Sequence, residues 1–208
     1  MAARISSLPI DISDEGRVPR RKPESLSKIK TAARKLFVER GYDATRPQDI
    51  AREAGLGHGT FYLHYPDKRA CFLAFVEDAR QELDAYVQER VRDGASLESL
   101  IAATLNAIYD YAESHPGVLT AAMTDEAVID AEGVQAIPLL QRWGADWARA
   151  VRAAAQAGRA ASDYDVEVVG QAIVGAIHQA ASEGHRSGRG RERVIQNLTH
   201  FLVKALRP

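Results

Sequence analysis

Beyond residue 22, apolar side chains recur at three- and four-residue spacing, and no convincing strand pattern is found. An α-helix turns once in 3.6 residues, so this spacing gathers apolar groups on one face, whereas a half-buried strand needs a period of two. The stripes begin with Ile29, Ala33, Leu36 and Phe37, then Ile50, Ala51 and Ala54. A long one follows through Phe72, Phe75, Val76, Ala79, Leu83, Tyr86 and Val87, and another through Leu97, Leu100, Ile101, Thr104, Leu105 and Ile108. Leu140, Trp143, Trp147 and Val151 form the next, and two more close the chain. Helix-stopping residues separate them: Gly41, Gly55, Asp93-Gly94, His115-Pro116-Gly117, Gly158 and the loop Gly184 to Gly190. The expected fold is all-α with about nine helices. The third is short, over Thr60 to His64, the sixth is less regular over residues 117–131, and the seventh begins around Pro138. Asp67 and Ser96 are placed to cap the fourth and fifth helices. Asp163, Asp165 and Glu167 fall in the expected first turn of the eighth, where the helix dipole favours anions.

Residues 1–22 lack this periodicity, contain Pro9, Gly16 and Pro19, and end in Arg17, Arg20, Arg21 and Lys22. They read as a disordered basic arm. Such an arm is either a solvated tail or a segment that lies along phosphates or enters a minor groove. The net charge of −1 hides an asymmetry: residues 1–70 carry 14 Lys/Arg against 9 Asp/Glu, and residues 71–208 carry 13 against 19. A polyanion would dock at the N-terminal end and be repelled by the rest.

Several function classes find no support. The single cysteine, Cys71, allows no internal disulfide and reads as a buried, inert thiol. No apolar run is long enough to span a membrane, and the first twenty residues lack a signal peptide's apolar core, so the expected compartment is the cytoplasm. There is no GxSxG, P-loop or HExxH pattern. His58 and His64 have no further ligand at metal spacing. No cofactor and no catalytic residue is expected. An enzyme of unrecognised type stays a remote alternative.

Residues 29–68 read IKTAARKLFVERGYDATRPQDIAREAGLGHGTFYLHYPDK. A striped helix, a short helix, a glycine turn and another short helix fit a helix-turn-helix. Pro47 suits the first turn of the second helix, where its missing N–H would have no partner. Gly57 and Gly59 remove side chains where backbone would approach DNA. The third helix is aimed N-terminus first at a major groove, which admits contacts to base edges.

This stretch resembles the tetracycline-repressor (TetR) family of bacterial regulators, through IxxAAxxLFxxxGY, DIAxxAG and GTFYxHY followed by a Lys that opens the next helix. The resemblance covers about forty continuous residues. It implies that Gln48, His58 and Thr60 approach bases, and that Tyr62, His64 and Lys68 grip phosphates. Leu63 can meet a thymine methyl, and Phe61, Ile50 and Leu56 belong to the small core. Two positions depart from the family pattern. Arg46 stands where Thr or Ser commonly caps the second helix, so either Thr45 substitutes or Arg46 gains a phosphate contact. Gly57 replaces the usual Ser at the cap of the third. Tyr62 also has a packing role open to it, and His64 a role as a solvated surface histidine.

The organisation implied is an arm at 1–22, a helix-turn-helix domain at 23–68, and a helical effector-binding and dimerisation domain at 69–208. Partners implied are a double-stranded operator, a small apolar or amphipathic effector and a second copy of the chain, with no membrane. Tyr109, Met123, Trp143, Trp147 and His178 are candidates for the effector cavity, with ordinary core packing as the competing reading. Ile173 and Ile177 in the eighth helix, and Leu198, Phe201 and Leu202 in the ninth, are expected at a dimer seam; filling one subunit's core is the alternative. The functional expectation is a ligand-responsive regulator, acting as a repressor. A DNA-binding regulator with no effector is the alternative.

Overall fold

The computed structural model of the chain describes residues 21–91, 96–123 and 139–208. Among these it is all-helical, with nine helices and no strand. They are α1 (Arg21–Arg40), α2 (Pro47–Glu53), α3 (His58–Tyr62), α4 (Lys68–Gln88), α5 (Leu97–Ser114), α6 (Val118–Met123), α7 (Leu139–Gln156), α8 (Val166–Arg186) and α9 (Arg191–Ala205). Asp93-Gly94, residues 124–131 and Pro138 lie outside the described residues.

The helix ends follow local chemistry. Gly41 and Gly55 adopt φ of +76° and +67°, a left-handed geometry that a side chain would strain. Their N–H groups donate back to Phe37 and Arg52 carbonyls at 3.0 Å. The Asp67 carboxylate accepts from the Ala70 N–H at 2.7 Å, and Ser96 Oγ accepts from Ser99 at 3.1 Å, so both expected caps form.

Other details differ from the sequence reading. Helix α1 starts at Arg21, so Arg21 and Lys22 open a helix rather than end an arm. Thr45 does not cap α2. It is fully buried, and its hydroxyl donates to the Gly41 and Leu36 carbonyls at 2.7 and 3.3 Å, closing the end of α1. Arg46 occupies the α2 cap in extended geometry with no side-chain cap bond. Asp165 caps α8, accepting from the Glu167 N–H at 3.0 Å, which leaves Asp163 ahead of the helix. Helix α8 continues through Gly184 to Arg186, and the left-handed stop moves to Gly188.

Two hydrophobic cores result, and α5 serves both. The first joins α1 to α4 with Ala107 and Tyr111 of α5 and Val118 and Ala122 of α6. Phe37 meets Phe72 edge-on at 5.1 Å at its centre. The second gathers Ile101 and Leu105 of α5 with Trp147 and Val151 of α7, Ile173 and Ile177 of α8, and Leu198 and Leu202 of α9. Helices α7 and α8 cross where Gly170 lies against the Gly144 carbonyl; any side chain at 170 would overlap that backbone. Polar ties bind α1 to the next layer. Arg34 donates twice to Glu82 of α4, at 2.6 and 2.9 Å, and the Tyr111 hydroxyl donates to the same carboxylate at 2.7 Å. Lys30 pairs with Asp78 at 2.8 Å.

Candidate functional site

The α2–α3 unit closes its own small core and turns the rest of its surface outward. Phe61 and Ile50 are fully buried, and Leu56 packs against them half-buried. Arg46, Gln48, His58 and Gly59 are exposed, and Thr60 is half-buried. Tyr62 and Leu63 are 49% and 70% exposed, although both are large and apolar. Among the described residues nothing covers them, so packing there does not account for their presence. The His58 and Tyr62 rings meet edge to face at 5.2 Å, which fixes both on one side of α3. The acids nearby are paired: Asp49 with Arg52 at 2.6 Å and Glu53 with Lys35 at 2.5 Å. The outward surface therefore offers amide, imidazole, hydroxyl and apolar groups, the kinds that read base edges.

His64 and Lys68 are engaged within the chain. His64 Nε2 lies 2.8 Å from Ser25 Oγ of α1. The Lys68 ammonium donates to the Tyr42 carbonyl at 2.9 Å and sits 3.9 Å above the Tyr42 ring. These contacts tie the start of α4 and the end of α3 to the two ends of α1. Ser25 and Tyr42 had no role in the sequence reading; Tyr42 was visible as the residue after Gly41 in the helix-ending pair.

A second feature is a cavity of about 1340 Å³ between the two cores, walled by α4 to α8 and the start of α9. All five candidates, Tyr109, Met123, Trp143, Trp147 and His178, line it. Trp147 is also 8% exposed and part of the second core, so it packs and lines at once. Helix α4 adds Leu83, Asp84 and Val87, which were read as core stripe or not singled out. The Tyr109 hydroxyl is buried with no partner among the described residues. Among the dimer candidates, Ile173, Ile177, Leu198 and Leu202 are 2 to 8% exposed because they fill the second core of their own chain. Phe201 alone of the five faces outward, at 61%. Cys71 is buried, and burial pushes its thiol up to about 12. Among the described residues no three His, Cys, Asp or Glu come together as a metal site would need. No described helix is long and apolar enough to cross a membrane.

Residues 29–75 match the family model for bacterial regulatory proteins of the tetR family. Over 49 residues the chain is 47% identical to the uncharacterized HTH-type transcriptional regulator YerO of Bacillus subtilis, covering 24% of this chain and 17% of that protein. It is 29% identical over 97 residues to the HTH-type transcriptional activator FasR of Mycolicibacterium smegmatis, covering 47% of this chain and 43% of FasR. The chain thus spans less than half the length of these relatives. The fold as a whole is shared with TylP, a tetR regulator from Streptomyces fradiae, with a TM-score of 0.68 at 20% identity, covering 90% of this chain and 89% of that one. Residues 29–75 therefore form a helix-turn-helix of the type found in tetR-family bacterial regulatory proteins, and the helices behind it share the fold of solved tetR regulators.

Proposed function

We propose that the chain is a ligand-responsive regulator that binds a pseudo-palindromic operator as a homodimer in the cytoplasm, represses from it, and is released by a small apolar or amphipathic effector. The observation that carries this is the path of α4. One continuous helix starts at Lys68, against the turn that positions α3, and reaches Leu83, Asp84 and Val87 in the cavity wall. A molecule that prefers one arrangement of the cavity must shift α4, and with it the recognition helix.

In this reading Gln48, His58 and Thr60 approach base edges, Leu63 meets a thymine methyl, and the exposed Tyr62 grips a phosphate. Gly59 lets the backbone approach closely. Arg46 faces phosphates from an exposed position, as do His64 and Lys68, which also anchor the end of α3 and the start of α4 to α1. The second copy packs on the outward faces of α8 and α9, where Val168 and Phe201 are 64% and 61% exposed. Ala172 and Gly175 extend the α8 face with small residues that permit close helix approach. Two recognition helices held this way meet half-sites about one DNA turn apart, roughly 34–36 Å.

Selection of bound sequences from random duplex DNA tests the reading. Two inverted half-sites at fixed spacing are expected. Enrichment of a single unrepeated motif, or none, overturns the dimeric operator model.

A further inference from the structure

The charged groups around the cavity differ in how well they are compensated. Arg191 is fully engaged: it pairs with Asp110 at 2.6 Å, reaches Glu113 at 3.6 Å, and donates to Asn106 Oδ1 at 2.9 Å. Arg186 and Arg189 are exposed at the rim, Arg186 beside Glu183 at 3.2 Å. Asp84 is different. It stands on α4 in the cavity wall with Leu83 and Val87, near Trp143 of α7, which lines the same space.

Among the described residues its cation is Arg80, which is shared. Arg80 donates twice to Glu77, at 2.7 and 3.2 Å, and once to Asp84. Glu77 also has Arg142 at 2.8 Å. The outcome is unequal: Arg80 and its other donors hold Glu77 down at about 2, whereas burial, with Asp146 and Glu77 nearby, raises Asp84 above the ordinary aspartate value. A partly buried carboxylate, 32% exposed, that shares its arginine with a second acid gains from a further cation. The Trp143 and Trp147 side chains on the facing helix offer indole rings, whose faces attract an ammonium.

We propose that the effector of this cavity is an apolar molecule carrying a protonated amine, which pairs with Asp84 between α4 and α7 while its body lies along the Trp143, Trp147 and Leu140 wall. The ammonium takes over the part of the Asp84 carboxylate now bonded by Arg80, which keeps its two bonds to Glu77. Because Asp84 belongs to α4, that exchange acts on the helix that carries the DNA-binding end. This rests on the effector-cavity reading given above.

The test compares three probes of one chain length, n-decylammonium, 1-decanol and decanoate, titrated below micelle formation and followed by tryptophan emission in the full-length protein. Decylammonium should bind at least about tenfold tighter than either of the others, as a charge-assisted contact in a partly dry site implies. Asp84→Asn should remove that preference and leave decanol binding within about threefold. Asp84→Glu, which keeps the charge, should retain the ranking. Equal or tighter binding of decanol or decanoate by the wild-type protein overturns the proposal without any variant. So does a preference that survives in Asp84→Asn. If none of the three binds, the cavity reading itself falls; if they bind without preference, only the amine assignment does.

Discussion

Replacing Glu82 with Gln keeps the side chain's shape and removes its charge from the joint that holds α1 against α4 and α5. The wild-type carboxylate accepts two bonds from Arg34 and one from Tyr111. Hydrogen bonds to a charged group are worth about 1.5–3 kcal/mol each. The Glu82 side chain is 37% exposed and that of Arg34 26%, so solvent screening reduces the charge-dependent part. Gln can still accept one bond, which leaves an expected loss of about 1–2 kcal/mol at neutral pH. For a chain of this size that is a fall in Tm of roughly 3–6 °C. The pH dependence has a definite sign. Burial pushes Glu82 up, but the bonds from Arg34 and Tyr111 outweigh it and hold Glu82 below 4.5, the ordinary value. A depressed carboxylate stabilises the fold above its unfolded pKa, and that stability is lost as pH falls through the folded one. Urea unfolding of wild type and variant at pH 7.5 and at successively lower pH measures this. The difference should be full at pH 7.5 and shrink in acid below about pH 4.5. A variant as stable as wild type at pH 7.5, or a gap that widens in acid, would refute the reasoning.

Leu63→Asp and Tyr62→Ala should weaken operator binding at least tenfold, read by fluorescence anisotropy, yet shift Tm by less than about 2 °C, because both residues are exposed. Phe201→Glu should give a stable monomer by sedimentation, whereas Ile177→Glu, which places a charge in the second core, should unfold the chain. Gly170→Leu should cost at least about 3 kcal/mol, since α7 and α8 cannot separate to admit it without losing their contacts, and chemical denaturation reads the loss directly. Cys71 should resist a thiol reagent in the native protein and react fully in urea, since its thiol is buried and held protonated at neutral pH.

Much of the fold was legible because its signals are local. The stripe spacing, the caps Asp67 and Ser96 and the stops Gly41 and Gly55 act within a turn of where they stand. The five cavity candidates line one space because the helices that carry them, α5 to α8, all border it. Contacts distant in sequence were not legible. Thr45 closes α1 rather than α2 because the chain folds back under the first helix. Lys68 and His64 are held by Tyr42 and Ser25, 26 and 39 residues away. Ile173, Ile177, Leu198 and Leu202 carry a stripe that fits a subunit seam or an internal core equally well. Only the burial of those side chains separates the two, leaving Val168 and Phe201 outward. Asp84 gave no sequence signal, since an aspartate late in a helix is ordinarily solvated.

The most direct test of coupling through α4 uses a compound that saturates the tryptophan emission change. The affinity of the protein for its selected operator is measured with that compound absent and at saturation. Because the two binding equilibria are linked, operator affinity should fall at least about fivefold, and operator-bound protein should bind the compound more weakly by the same factor. Equal operator affinity in the two states, with the emission change complete, would contradict it.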